Sequence, residues 1–415
     1  MLDELLKKAK KAQPVLALSN GALRNQVILT MESLLATAEA DILAANGQDM
    51  AEAQSADLPP AFLKRLALSH EKIDGLRRGL AVLRQLPDPL GQGRQWTLNQ
   101  GLTLTTVHVP LGVIGLIFES RPGVTIEAAG LTLKSGNAII LRGGKEALRT
   151  NQALTQLWQK ALEHCGLPVA LVQLVTNPDR ELAVEMMHLQ GLDLLIPRGG
   201  SGLISTVVKE ASVPVIETGV GNCHLYVDAS ADIDMALNIL IDGKVGNPAV
   251  CNALETVLIH KSLKETFLPK AYQALSEYGV IWHADPDVAA TIPQVILANA
   301  NDWAKEYLSL DLAAHVVSDV DDALQHIAQY GTHHSEAIVA NDYIVGQRFL
   351  AEVDAACVYW NASTRFSDGF QFGFGAEVGI STQKLHARGP MGLEALTTTK
   401  TIALGSGQTR DFPFR

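Results

Sequence analysis

Cysteine is scarce in this sequence: four thiols in 415 residues, Cys165, Cys223, Cys251 and Cys357. Their separations of 58, 28 and 106 residues fit no zinc-ligand spacing. So few cysteines in so long a chain do not make a disulfide framework, and free thiols in a reducing, cytoplasmic compartment are expected. Charge is low as well. Only 19% of the residues are charged while 47% are hydrophobic, a balance that excludes long disordered tails. The formal net charge of −11 disfavours nucleic acid and anionic membrane as general partners, because the summed field repels a polyanion, while a local basic pocket is still allowed. No eighteen consecutive apolar residues occur, so no transmembrane helix is expected. Met1-Leu2-Asp3-Glu4, followed by Lys7 and Lys8, lacks the apolar stretch of a signal peptide. Neither the G-x-G-x-x-G fingerprint nor a Walker A sequence occurs, which disfavours an ordinary Rossmann dehydrogenase and a P-loop kinase. Internal repeats and low-complexity tracts are also missing.

What is present is alternation. A helical period runs from Leu2 to about Ala51, with Ser19-Asn20 as a cap before a long segment through Ala44. Leu102 to Val109 alternates as a strand does, behind a break at Leu86 to Gly91 that makes a protruding hairpin plausible. Apolar Val113 to Phe118, helical Ile126 to Lys134 and apolar Ala138 to Leu141 form a βαβ unit. Helical Gln152 to Cys165, a strand at Leu171 to Val175, helical Arg180 to Met187 and a strand at Leu192 to Ile196 follow. Strands near Thr256 to His260, Ala313 to Val317 and Ala337 to Val339, with a helix at Asp321 to Gln329, continue the theme. Such alternation predicts parallel sheets covered by helices, in two α/β lobes, since the chain is too long for one core.

Ligands of such sheets bind at the carboxyl ends of strands. Two glycine turns follow strands there: Arg142-Gly143-Gly144-Lys145 and Arg198-Gly199-Gly200-Ser201. Either alone is read as a tight turn; together, with three basic residues beside them, they point to an anion site. The third loop, Gly246-Asn247-Pro248-Ala249-Val250-Cys251-Asn252, presents a thiol among backbone donors, where a thiolate is stabilised. Cys165, Cys223 and Cys357 are read as small buried hydrophobes. His333 and His334 read as a surface turn and His260 as a satisfied structural residue, and no metal site is expected.

Several stretches, taken together, are more specific than any one loop. They are Val109-Pro-Leu-Gly-Val-Ile-Gly, Glu119-Ser-Arg-Pro, Leu133-Lys-Ser-Gly-Asn-Ala-Ile-Ile-Leu-Arg-Gly-Gly, Leu195-Ile-Pro-Arg-Gly-Gly, Val250-Cys-Asn, Tyr359-Trp-Asn-Ala-Ser-Thr-Arg-Phe and Gln383-Lys-Leu-His-Ala-Arg-Gly-Pro-Met-Gly. With them the chain resembles, nearly end to end, the aldehyde dehydrogenase superfamily in its acyl-phosphate-reducing branch. The resemblance implies an aldehyde-dehydrogenase-like fold and NADPH-dependent reduction of L-glutamyl 5-phosphate to L-glutamate 5-semialdehyde, the second step of proline synthesis. It makes Cys251 the nucleophile of a thioester mechanism, with its backbone N–H as one oxyanion donor. The second donor aligns with Ser120, with Asn252 or Asn361 as alternatives. Glu217 aligns with the general base of the aldehyde-oxidising relatives; in a reductase a structural role or proton management serves as well.

The resemblance further implies cofactor contacts at Arg142, Gly143, Gly144, Lys145, Gly199, Gly200, Ser201 and Glu306. Lys145 stands where NAD-preferring relatives carry a carboxylate, which favours the 2′-phosphate of NADPH. Arg121, Asn361, Ser363, Thr364 and Arg365 are expected at the substrate, with Arg365 on its α-carboxylate. The family's basic residue before the proline of the cysteine loop is replaced by Asn247, leaving Arg121 or Lys244 for the departing phosphate. The expected division is a cofactor-binding domain over 1–92 and 110–219, a catalytic domain over 220–395 and an oligomerisation element over 93–109 and 396–415. A homodimer or homotetramer is implied, and the lability of an acyl phosphate suggests transient contact with glutamate 5-kinase. The alternatives are an aldehyde dehydrogenase producing a free acid and an inactive nucleotide-binding relative.

Overall fold

The computed structural model describes residues 1–409, with only the backbone of Ala61 and Ser201. Val113–Phe118, buried at every position, is an inner strand of the first sheet. The strand order is Val172–Leu174, Ala138–Arg142, Val113–Phe118 and Leu194–Arg198, all parallel. Strands buried on both faces need apolar residues throughout, which is why they were legible as runs rather than as alternation. Helices Leu2–Ala17, Gly21–Thr37, Glu39–Ser55, His70–Gln85, Val124–Lys134 and Leu148–His164 belong to the same unit.

Asn20 caps Gly21–Thr37 as its sequence position predicts, its side chain accepting from the Leu23 N–H at 2.8 Å. The helix expected to continue through Ala44 instead breaks at Ala38. The hydroxyls of Thr30, Ser33 and Thr37 donate back to main-chain carbonyls one turn earlier, and this back-bonding weakens the helical ladder ahead of the break.

The second sheet has seven parallel strands in the order Ile296–Leu297, Ile281–Ala284, Asp311–Val317, Leu254–His260, Cys223–Val227, Ser335–Val339 and Cys357–Trp360. Alternate residues feed two apolar clusters, Leu225 and Val257 with Phe267 and Trp282 in one, Tyr226 and Leu258 with Phe349 in the other. Cys223–Val227 is buried throughout although it reads Cys-His-Leu-Tyr-Val, a string whose polar atoms hide it from a search for apolar runs.

A third, antiparallel sheet joins Gly93–Thr97, Thr103–Pro110 and Thr397–Leu404. Residues 410–415, assigned from sequence to the same element, lie outside the described residues. The chain divides into two compact units. One is Met1–Ile216 with Phe374–Val378 and the chain from Met391 onward; the other is Glu217–Gly373 with Gly379–Pro390. Residues 374–378 therefore pack with the first unit rather than with the span 220–395, because Gly375 turns at φ +70° against Leu86 and Val82.

Candidate active site

The helix Ile233–Val245 gives way at Gly246 to an Asx turn in which Asn247 Oδ1 accepts from the Ala249 N–H at 3.3 Å. A tight turn follows, closed by the Ala253 N–H on the Val250 carbonyl at 3.1 Å, and it delivers the chain into strand Leu254–His260. Cys251 and Asn252 stand at the corner of that turn, Cys251 half-buried and Asn252 buried. Cys223 and Cys357 are buried as expected. Cys165 corrects its reading as core filler: it is half-buried beyond the end of Leu148–His164, its Sγ 3.8 Å from Thr30 Oγ1.

Asn252 works as a clamp. Its Nδ2 donates to the carbonyls of Ser367 at 2.9 Å and Arg365 at 3.3 Å, its Oδ1 accepts from the Arg365 guanidinium, and its main-chain carbonyl accepts from Thr364 Oγ1 at 2.7 Å. Both hydrogens of the Asn252 side-chain amide are thus spent on carbonyls. Asn361 accepts from the Ala340 N–H and donates one amide hydrogen to the Ala340 carbonyl, each at 3.0 Å, while its backbone turns at φ +58°. Ser120, the side chain aligned with the second oxyanion donor, is buried in the first unit. Ser363 Oγ accepts from the Arg365 N–H at 3.2 Å, so Ser363, Thr364 and Arg365 form one braced turn.

The stretch Gly219 to Cys223 lies against Cys251. The Gly219 N–H donates to the Ile380 carbonyl at 2.7 Å, the Gly221 N–H to Glu306 Oε1 at 2.8 Å and the Asn222 N–H to Thr332 Oγ1 at 3.0 Å. A Cβ on Gly221 would fall 1.4 Å from the Cys251 carbonyl oxygen, so only glycine permits this approach. Burial raises the Glu306 carboxyl above its usual range. Glu217 is half-buried, and its N–H donates to Gln383 Oε1 at 3.0 Å.

Lys244 is corrected as a phosphate ligand. Its ammonium is fully buried, 2.6 Å from Glu255 Oε2 and 2.9 Å from the Leu254 carbonyl. Burial lowers the Lys244 pKa and pushes the Glu255 carboxyl up to about 7 against the pull of the ammonium. The adjacent histidines divide: His333 is the exposed turn residue, at φ +60°, whereas His334 is fully buried against Ser335 Oγ and Cys223 Sγ. Burial drops His334 to about 4, which keeps it neutral. His260 accepts from the Ser262 N–H at 3.1 Å, a local structural bond. Among the described residues, no three or more His, Cys, Asp and Glu gather to hold a metal ion.

In the first unit, strand register brings the glycine turns to one edge: Ile117 pairs with Arg142, and Phe118 with Arg198. Glu119, which opens the Glu119-Ser-Arg-Pro stretch but has no role assigned from sequence, joins the second turn, its Oε2 accepting from the Gly200 N–H at 3.0 Å. Gly199 has no room for a side chain, an added Cβ meeting Glu119 Cδ at 2.6 Å, while Gly202 faces open space. Ser201 opens the helix Ser201–Glu210, and its side chain lies outside the described part. Arg142 reaches along the surface to the carbonyls of Pro178 at 2.9 Å and Asp179 at 3.2 Å, so its guanidinium already secures a neighbouring loop. Lys145 is exposed at the start of the short helix Lys145–Ala147, and Arg121 is exposed just beyond Ser120.

A helix-covered parallel sheet with glycine turns at its strand ends, and a second parallel sheet carrying a thiol on a tight turn, are the architecture of the aldehyde dehydrogenases. The aldehyde dehydrogenase family's sequence model matches residues 1–310, and the chain belongs to that family, in the branch of the γ-glutamyl phosphate reductases. The γ-glutamyl phosphate reductase of Moorella thermoacetica is 52% identical over 405 residues, covering 97% of each chain. The crystal structure of γ-glutamyl phosphate reductase from Thermotoga maritima superposes with a TM-score of 0.96 at 43% identity, covering 98% of this chain and 99% of that one. An engineered glycolyl-CoA reductase with bound NADP⁺ shares the fold at a TM-score of 0.71 and 16% identity, covering 97% of this chain and 96% of that one.

Proposed function

We propose that this chain reduces L-glutamyl 5-phosphate to L-glutamate 5-semialdehyde with NADPH and releases phosphate. The observation that carries the reading is the seating of Cys251 on a tight turn against Gly221, in a chain half identical over its length to γ-glutamyl phosphate reductases.

The Cys251 thiolate attacks the acyl carbon; a sulfur–carbon bond forms, the carbon–oxygen bond to phosphorus breaks, and phosphate leaves with the electron pair. NADPH, when bound, would supply the hydride that takes the thioester to the aldehyde level; Cys251 then leaves as thiolate as its carbon–sulfur bond breaks. Negative charge develops on the former carbonyl oxygen in both stages, and the Cys251 N–H is the donor that meets it. Ser120 is assigned as the second donor. Arg365, braced on Asn252, holds the substrate's α-carboxylate, and Ser363 and Thr364 shape the turn that presents it. Arg121 is assigned to the departing phosphate. Glu217 has no water to activate in this chemistry and is assigned a structural role beside Gln383.

The glycine turns fit a dinucleotide. Gly143, Gly144, Gly199 and Gly200 let phosphate oxygens approach the backbone, and the start of Ser201–Glu210 adds a favourable dipole. Lys145, exposed beside them, suits a 2′-phosphate, whereas Arg142 contributes by holding the turn. Glu306 is assigned to Gly221 rather than chiefly to the cofactor. The antiparallel sheet is assigned to pairing in a homodimer or homotetramer, and contact with glutamate 5-kinase to transfer of a labile product.

The test follows NADP⁺ reduction by glutamate semialdehyde with and without phosphate, for the natural chain and Cys251→Ala. Phosphate-dependent turnover lost in the variant is expected. Turnover without phosphate would replace the reading with a free-acid dehydrogenase, and cofactor binding without turnover would replace it with an inactive nucleotide-binding relative.

A further inference from the structure

The mechanism uses one thiol, yet a second lies against its main chain. Cys223 opens the strand Cys223–Val227, is fully buried, and its Sγ stands 3.2 Å from the carbonyl oxygen of Cys251. The parallel pairing of this strand with Leu254–His260 is irregular here: Cys223 faces Leu254, and the register shifts between Cys223 and His224. The regular ladder begins after the nucleophile's turn, so the Cys251 carbonyl is met by a side chain.

We infer that Cys223 is a positioning residue for the nucleophile, its thiol hydrogen donated to the Cys251 carbonyl so that the peptides on both sides of Cys251 are held. The preceding peptide is fixed by the Ala253 N–H on the Val250 carbonyl, and the following one by Cys223, with Gly221 admitting the approach. Two anchored peptides leave residue 251 little freedom in φ and ψ, and this sets the direction of its Cα–Cβ bond. The bond requires Cys223 to stay protonated. Burial, reinforced by the nearby Glu336 carboxylate, raises its pKa well above that of an ordinary thiol. His334, its Nδ1 3.8 Å from the Cys223 sulfur, is buried and neutral and does not draw the proton off. The two cysteines thus divide the work, one ionising to attack and the other remaining a donor.

The inference rests on Cys251 being the nucleophile, so the experiment separates the two. Cys251→Ala establishes whether turnover needs that sulfur. Cys223→Ala and Cys223→Ser are then compared for kcat, for KM and for the rate at which iodoacetamide alkylates Cys251, with the labelled residue identified by mass spectrometry. Cys223→Ala is expected to lower kcat by between about tenfold and a hundredfold, with KM changed by less than about threefold, as a misdirected nucleophile should. Alkylation of Cys251 should slow in parallel, and the serine hydroxyl should restore most of both. Wild-type kcat and alkylation in Cys223→Ala overturn the inference, as does equal impairment of the alanine and serine variants with alkylation unchanged. Should the variants not fold, the S–H stretch of Cys223 is read by Raman spectroscopy in a chain with Cys165, Cys251 and Cys357 replaced by alanine. A frequency lowered by hydrogen bonding supports the contact, and a free-thiol frequency overturns it.

Discussion

The guanidinium of Arg365 rests on the side-chain oxygen of Asn252, the residue that follows Cys251. One side chain thus links the proposed carboxylate contact to the turn of the proposed nucleophile, Cys251, and its loss should act on both. Arg365→Ala is expected to raise KM for the acyl phosphate and to lower kcat as well, for a combined loss of about 2–4 kcal/mol in kcat/KM. Arg365→Lys should keep the charge but lose the fork and recover little. Steady-state kinetics check this. A KM effect with unchanged kcat would show that the brace on Asn252 does not matter to the chemistry.

If the glycine turns hold the cofactor as proposed, Gly199→Ala should weaken NADPH binding by about tenfold or more, because the new methyl would need the space of Glu119 Cδ at 2.6 Å and Leu203 Cδ2 at 2.8 Å. Removing the obstructing side chain in Gly199→Ala/Glu119→Ala should return part of the affinity. Fluorescence titration with NADPH measures both, and the two substitutions should be non-additive, as residues in contact are.

Breaking the pair of Lys244 and Glu255 should be costly. Lys244→Met leaves a buried carboxylate alone and is expected to destabilise the protein by about 3–5 kcal/mol, whereas Lys244→Met/Glu255→Leu should lose less. Glu255 also accepts the N–H of Leu308, which sits at φ +55° two residues after Glu306. Loss of Glu255 is therefore expected to loosen the segment that braces Gly221 and to lower kcat along with the urea midpoint.

Acid should destabilise the second unit through buried histidines. His334 is pushed down to about 4 by burial, and His326, packed among His224, His315, Trp303 and Tyr330, to about 2 by burial and then by the neighbouring imidazoles. Unfolding returns both to the ordinary value near 6.5, so between about pH 6.5 and pH 4 the unfolded chain holds more protons and stability falls as pH falls. Two such groups give a slope approaching about 2.7 kcal/mol per pH unit, and His326→Phe should remove roughly half of it. Urea midpoints between pH 7 and pH 4.5 measure the slope.

The sequence by itself determined much of what has a local cause. Apolar runs such as Val113–Phe118 and cap residues such as Asn20 declared their elements, the glycine pairs marked the turns after strands, and the Gly/Asn/Pro loop singled out Cys251 among four thiols. Tertiary structure decided what depends on a partner far along the chain. Lys244 reads as a candidate for the departing phosphate until the fold buries it on Glu255, His334 as half of a surface turn until it is enclosed, and Cys223 as filler until its strand sets it against the Cys251 carbonyl. Periodicity and turn chemistry are written over a few residues and survive in a linear string. Desolvation and hydrogen-bond commitment depend on which distant segments close around a group, and only the folded chain supplies those neighbours.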